Sequence, residues 1–262
     1  MSKAKELTKK IVGPLIRATI RRLPPLAAGE FKTLTQLKWQ FSRVQVPAEI
    51  RTVKGQLWPE ELQALFALGA MAESPMLEIG SWLGLSATCL AKGILASGIK
   101  KSFTACDLNP GPANYRELPD GRTGFFYPPE STTPMGACDR KTYEEEIRPV
   151  VAHPDGVVGQ LRANLRRMGV EPLVQIVTGD FKSVLPAQKY RFIFCDTLHD
   201  PTEIRANASA LLKLVTDGTI LACHDTTPEN RAELLRHFQF SETIQIATLF
   251  VGVIKLRGDG LK

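Results

Sequence analysis

A short apolar run that ends in an acid and two glycines is the part of this sequence best suited to chemistry. Residues 76–86 read Met-Leu-Glu-Ile-Gly-Ser-Trp-Leu-Gly-Leu-Ser, which predicts a buried strand, a tight turn and the start of a helix. Glu78 falls at the strand end, and Gly80 and Gly84 let the backbone turn sharply and approach a ligand. The first amides of the helix stay free to donate hydrogen bonds. An acid at this place favours a ligand with hydroxyl or ammonium donors over a bare phosphate.

The turn differs from the commoner nucleotide-binding loops. A dinucleotide fingerprint aligned on Gly80 needs glycines where Trp82 and Leu85 stand, and the Gly-Lys-Ser/Thr of a P-loop is missing. The remaining pattern, Glu-x-Gly-x-x-x-Gly-x-Ser, resembles the first motif of class I S-adenosylmethionine (SAM) methyltransferases, whose loop wraps the amino acid end of the cofactor. Taken alone, the pattern also fits an ordinary strand-to-helix turn. The resemblance implies SAM-binding residues at Glu78, Gly80, Ser81, Gly84 and Ser86.

Two further predicted strands end in acids. Residues 102–107 form a second apolar strand that ends at Asp107, where doubly wound folds place an acid that accepts hydrogen bonds from ribose hydroxyls. A third strand, residues 174–180, ends in Gly179 and Asp180. In the methyltransferase family the matching acid or its neighbour contacts the adenine amino group. Three such strand ends in this order predict a SAM site.

Polar residues also follow the fourth and fifth predicted strands. Residues 192–199 and 221–227 resemble a branch of small-molecule O-methyltransferases that includes the catechol O-methyltransferase-like and the antibiotic- or sugar-modifying enzymes. The resemblance covers about residues 58–256. It implies that Asp196, His224 and Asp225 hold a divalent metal, and that Asp196 also borders the cofactor. Imidazole suits zinc, iron or manganese better than magnesium. His224 therefore leaves open whether a metal binds and which metal it is.

Two histidines are candidate catalytic bases. His199 stands three residues after Asp196, where catechol-type enzymes carry a basic residue that takes the acceptor proton. A histidine can do this near neutral pH, and the alternative for His199 is a capping or packing role. His224, paired with Asp225, is the rival base if no metal binds.

The order of elements predicts the fold. Strands alternate with helices, and residues 243–247 and 249–254 form a closing hairpin. We therefore expect an α/β, Rossmann-like, seven-stranded mixed sheet with an antiparallel last strand and helices on both faces. Residues 58–262 form the catalytic domain. Its insert, residues 111–155, is rich in Pro and Gly and is expected to be a long loop. This loop acts as a lid or acceptor-binding segment, or it is a family-specific addition without such a role.

Charge is concentrated in the N-terminal region. Residues 1–57 hold 12 Lys/Arg and 3 Asp/Glu, whereas the remainder holds 21 and 24, so the catalytic region has a net charge of −3. This does not favour nucleic acid as a partner. Residues 1–57 are expected to be a basic helical extension, in which residues 1–23 contact a membrane surface, a partner or a second subunit, or pack on their own domain. No long apolar run or CxxC pair is present, so a cytoplasmic protein is expected.

Together these patterns predict methyl transfer from SAM to an oxygen of a small hydroxylated acceptor, with or without a metal. A SAM-fold enzyme with another reaction and a SAM-binding scaffold are the alternatives, and nucleic acid methylation is a further one.

Overall fold

A computed structural model describes Leu34, Phe41 and residues 43–256. The main helices, α1 to α6, are Pro59–Met71, Leu85–Ser97, Gly156–Arg167, Phe181–Val184, Pro201–Leu214 and Pro228–His237. The strands β1 to β10 are Met76–Ile79, Phe103–Asp107, Tyr115–Glu117, Thr123–Phe125, Gly136–Cys138, Gln175–Thr178, Tyr190–Cys195, Val215–Cys223, Phe240–Ile246 and Leu249–Ile254. A helical stretch of the insert joins Arg140–Thr142, Tyr143–Ile147 and Arg148–Val151.

Seven of these strands form the central sheet, in the order β6-β2-β1-β7-β8-β10-β9. The pairs from β6 to β8 are parallel, whereas β10 runs antiparallel to both β8 and β9. The predicted seven-stranded mixed sheet with a closing antiparallel hairpin is therefore confirmed. Parallel strands place their carboxyl ends at one edge, and in open α/β sheets that edge binds ligands.

Alternate residues of the strands supply two separate cores, one on each face of the sheet. Met76 of β1 packs in a cluster with residues of α1, α2 and α3, whereas its neighbour Leu77 packs with residues of α5 and α6. This follows from the two-residue repeat of a strand. Helices therefore cover both faces, as predicted.

Helices α1 and α2 pack with their backbones in close contact. A Cβ atom added at Gly93 of α2 would overlap the carbonyl oxygen of Phe66, and one added at Gly69 of α1 would overlap that of Leu90. Only a residue without a side chain allows this approach. The contact fixes α1 beside the start of the sheet and therefore fixes the residues at its N-terminus, which reach the candidate site.

The insert has its own regular structure, whereas the sequence predicted a long loop. Strands β3, β4 and β5 form a small antiparallel sheet. Tyr115 of β3 lies against Phe125 of β4 and Tyr143 of the helical stretch, with ring centroids 5.2 and 5.3 Å apart. These strands are too short for the two-residue repeat to be visible in the sequence. The Pro and Gly content therefore indicated a loop.

The expected contacts of residues 1–23 lie outside the described residues. From Val44 onward the extension packs on the domain, because Val44, Ile50 and Val53 are buried in the core that α1 and α2 share. No described helix has the length and apolar character that a membrane span requires.

Substitution of Gly93 by Ala should lower the free energy of unfolding by about 1–3 kcal/mol, because overpacking forces the two helices apart. Chemical denaturation measures this change. The matched control is Gly136→Ala, since a Cβ at exposed Gly136 meets no atom within 4 Å. Equal stability of the two variants would contradict the close helix contact.

Candidate functional site

The predicted site residues gather at the carboxyl edge of the sheet. Glu78 is the last residue but one of β1, and Asp107 is the last residue of β2. Asp180, Asp196 and His224 come after β6, β7 and β8. The edge has two halves. The first half is formed by the loops after β1, β2 and β6, and the second by the segments after β7 and β8.

The glycine-rich turn after β1 depends on contacts inside the protein. Gly80 and Gly84 have positive φ angles of 84° and 86°. A Cβ at Gly80 would lie 2.6 Å from the carbonyl oxygen of Asp196, and one at Gly84 would overlap the side chain of Leu161. The glycines therefore let the turn approach β7 and α3, and the predicted tight turn is present. Their predicted approach to a ligand stays a prediction.

Glu78 is fully buried beneath this turn. The Ser86 hydroxyl donates a hydrogen bond to Glu78 Oε1, while Glu78 Oε2 and the buried Ser81 hydroxyl have no hydrogen-bond partner among the described residues. Burial raises the pKa of Glu78 to about 8, against the hydroxyls of Ser86 and Ser81, which both lower it. Unsatisfied buried polar atoms are costly, so this pair fits a ligand with polar groups such as the amino acid end of SAM.

Asp107 has a structural role that the sequence did not predict. Its Oδ2 accepts hydrogen bonds from the amides of Ser81 at 3.0 Å and Trp82 at 2.8 Å, and its Oδ1 accepts from the Asn109 amide at 2.7 Å. Burial raises the pKa of Asp107, although these three bonds oppose that shift. Asp107 thus shapes the glycine-rich turn, and its predicted ribose contact stays a prediction.

Gly179 and Asp180 follow β6 beside Asp107. The Gly179 amide donates to the Asp107 carbonyl oxygen at 2.8 Å, which joins the two strand ends. Asp180 caps the short helix α4 by accepting from the Lys182 amide at 3.0 Å. The predicted contact with adenine stays a prediction.

In the second half, His224 lies between two carboxylates. Its Nδ1 is 3.0 Å from Asp196 Oδ1, and its Nε2 is 3.2 Å from Glu61 Oε2. Burial lowers the pKa of His224, but the hydrogen bonds to Asp196 and Glu61 outweigh it and raise the pKa to about 10. Because both ring nitrogens face carboxylate oxygens, this geometry favours the protonated ring, which has no free nitrogen lone pair. The predicted roles of His224 as a metal ligand or a base stay predictions.

His199 has the opposite character. It is exposed on the approach to the site, and its Nδ1 lies 3.1 Å from Glu203 Oε2. Its Nε2 is 3.9 Å from Asp196 Oδ1. The hydrogen bond to Glu203 raises the pKa of His199, and burial opposes this shift. Asp200 caps α5 by accepting from the Thr202 and Glu203 amides, which fixes Glu203 relative to His199.

A second group of residues could also share a cation. Ligand atoms of Asp196, His199 and Asp225 all lie within 4.8 Å of one another. The predicted set of Asp196, His224 and Asp225 stays a prediction. Two carboxylates and an imidazole are a donor set that divalent transition metals accept.

Glu61 and Glu203 were missed by the sequence interpretation. Glu203 follows His199 by four residues at the start of a helix, and this spacing was a usable signal. Glu61 is separated from His224 by 163 residues, and no local pattern connects them. Glu61 was visible only as an acid in the first turn of α1.

Comparison with known proteins agrees with the fold and the motifs. A family described as a methyltransferase domain matches residues 77–226, which is more than half of the chain. The chain therefore belongs to this family, and it is a SAM-dependent methyltransferase. No curated protein sequence matches the chain.

Several solved structures are similar to this chain at low identity. A SAM-dependent O-methyltransferase from Thermotoga maritima is 13% identical, with a TM-score of 0.50 over 81% of this chain and 74% of that chain. An O-methyltransferase from Bacillus cereus in complex with SAH (S-adenosylhomocysteine) is 14% identical, with a TM-score of 0.42 over 93% and 100%. TomG from Streptomyces achromogenes, an O-methyltransferase in complex with SAM, is 13% identical, with a TM-score of 0.45 over 92% and 98%.

Substitution of Glu78 by Gln should stabilise the protein relative to wild type by an amount that grows from pH 5 to pH 8. In the folded chain the Glu78 pKa is raised from 4.5 to about 8, so the carboxyl contributes stability below pH 4.5 that is lost as the pH rises through about 8. Gln cannot ionise, so it does not lose this contribution. Urea denaturation at several pH values measures the difference.

The control is Glu130→Gln, which removes an exposed carboxyl in the insert. A Glu78→Gln effect that stays constant with pH would show that Glu78 ionises normally in the folded protein.

Proposed function

We propose that this protein transfers a methyl group from SAM to a hydroxyl oxygen of a small-molecule acceptor, with His199 as the general base. The observation that carries the proposal is the imidazole of His199, which Glu203 orients at the edge of the site next to Asp196. The alternative bases are weaker candidates, because both ring nitrogens of His224 face carboxylates and burial raises the pKa values of the cysteine thiols.

Glu203 fixes which nitrogen of His199 takes the proton. Nδ1 faces the Glu203 carboxylate, so this nitrogen carries the hydrogen, and Nε2 keeps its lone pair. Nε2 points to the side on which Asp196 lies. A base whose pKa is raised by a neighbouring carboxylate, and which is exposed to incoming ligands, suits the removal of a hydroxyl proton.

The chemistry of the donor requires little more from the protein. When bound, SAM supplies a methyl group on a sulfonium sulfur, so its carbon–sulfur bond breaks as the acceptor oxygen–carbon bond forms and SAH leaves. The acceptor proton moves to His199 Nε2. The strand ends hold donor and acceptor in line, which is the larger part of the rate enhancement in such a displacement.

The insert is proposed to cover the acceptor. Trp82 of the glycine-rich turn packs against the cluster that contains Val150, Val151 and Val157, so the insert rests directly on the cofactor half of the site. The Gln56 amide also donates to Glu146 at 3.2 Å, which ties the insert to the segment before α1.

A divalent ion, if the reaction uses one, would be held by Asp196, His199 and Asp225, whose donor atoms are close enough to share it. A bound ion would lower the pKa of the acceptor hydroxyl and orient it. His199 would then be a metal ligand, and removal of the ion by a chelator would stop the reaction.

Substitution of His199 by Gln should lower the turnover number by about 10²–10⁴-fold, the usual contribution of a general base. The assay follows SAH formation, and mass spectrometry detects replacement of a hydroxyl hydrogen by methyl in a panel of phenols and sugars. Affinity for SAH should stay within a factor of two, because His199 lies in the other half of the site.

The matched control is His153→Gln, which alters an exposed histidine of the insert. Assays of SAH formation with and without EDTA show whether His199 acts as a base or as a metal ligand. Binding of SAH with no methylated product from any acceptor would favour the scaffold alternative, and a product of different mass would favour another reaction of the same fold.

A further inference from the structure

Glu61 is a buried acid for which the chemistry proposed above has no use. It lies in the first turn of α1 with its side chain fully shielded from solvent. A buried carboxylate is costly unless its oxygens are hydrogen-bonded. Every oxygen of Glu61 is so bonded, and the partners come from three different parts of the fold.

Hydrogen bonds to both oxygens anchor the Glu61 carboxylate to two parts of the fold. Glu61 Oε1 accepts from the amide and the hydroxyl of Thr248, at 2.8 and 2.7 Å, in the turn between β9 and β10. Glu61 Oε2 accepts from the Trp58 amide at 2.9 Å and so caps its own helix. These three donors fix the plane of the carboxylate before it meets any other group.

The same Oε2 faces the ring of His224. Its distance to His224 Nε2 is 3.2 Å, and on the opposite side of the ring Nδ1 lies 3.0 Å from Asp196 Oδ1. A planar ring held at both nitrogens has no freedom to rotate. The position of Glu61 therefore sets the position of His224, and His224 in turn sets the orientation of the Asp196 carboxylate.

Asp196 is where this chain of contacts enters the site. Its Oδ1 faces both His224 and the proposed base His199, and its carbonyl oxygen borders Gly80 in the cofactor half. Rotation of the Asp196 side chain would therefore change the surroundings of His199 Nε2. We propose that Glu61 is a positioning residue of this methyltransferase, which acts through His224 to hold Asp196 in the orientation that the acceptor half requires.

This inference rests on the proposed function for its kinetic consequence, but the geometry is testable without it. Proton NMR of the wild type should show two slowly exchanging ring N–H signals that disappear in His224→Asn. In Glu61→Gln the amide group cannot accept from every donor, so the Nε2–H signal should be lost and the Nδ1–H signal, which reports on Asp196, should shift.

The matched control is Glu60→Gln, the same chemical change at an exposed position one residue away. Both ring signals should persist there. An unchanged Nδ1–H signal in folded Glu61→Gln would overturn the proposal, because Asp196 would then be held without Glu61.

The kinetic arm uses SAM with catechol and the acceptor panel as probes. Glu61→Gln should lower kcat by roughly 10- to 100-fold with an unchanged KM for SAM, in line with the cost of misplacing a reacting group. In a double variant with His224→Asn, Glu61→Gln should cause no further loss of kcat, because both substitutions disturb the same series of contacts. Additive losses, or a raised KM for SAM, would indicate general damage and overturn the proposal. A wild type without activity contradicts the proposed function, and the NMR result alone then decides the role of Glu61.

Discussion

The ring of His224, which faces carboxylates at both nitrogens, makes the contacts on which the acceptor half of this protein depends. It brings α1, the ends of β7 and β8 and, through Glu61, the β9–β10 turn to one point. Three carboxylates, those of Glu61, Asp196 and Asp225, lie within 3.5 Å of its ring nitrogens. Because both nitrogens face hydrogen-bond acceptors, this geometry favours the protonated ring.

The two halves of the site are built by different means. In the cofactor half, backbone conformation decides the shape: Gly80 and Gly84 take positive φ angles, and Asp107 holds the turn by its amides. Glu78 below the turn, whose pKa burial raises to about 8, adds polar atoms to this half. In the acceptor half, side chains decide the shape. The two halves meet where Gly80 lies against the backbone of Asp196, and this approach leaves no room for a side chain at position 80.

Much of the fold could be predicted from the sequence, because apolar strands that end in acids and glycines give strong local signals. The strands ending at Asp107 and Cys195 and the closing hairpin are where their residue patterns predict them. The small sheet of the insert was missed, because three-residue strands carry too little periodicity. For the site, residue types identified the right edge of the sheet, but not the partners across it.

Two residues show why. The adjacency of His224 and Asp225 is visible in the sequence, whereas the Glu61 carboxylate on the other side of the His224 ring is not. The loop amides that Asp107 binds give no local signal either. Both depend on contacts between residues that are distant in the chain. Burial and long-range hydrogen bonds decide the roles of these polar groups, and neither is encoded in local spacing.

The measurement that tests the central claim most directly is calorimetric titration of the purified, metal-stripped protein with SAH. A SAM-dependent methyltransferase whose cofactor half is preformed by the protein alone should bind one SAH per chain at micromolar affinity, about −8 kcal/mol, without added metal. Absence of binding by a protein shown to be folded would contradict this description of the site.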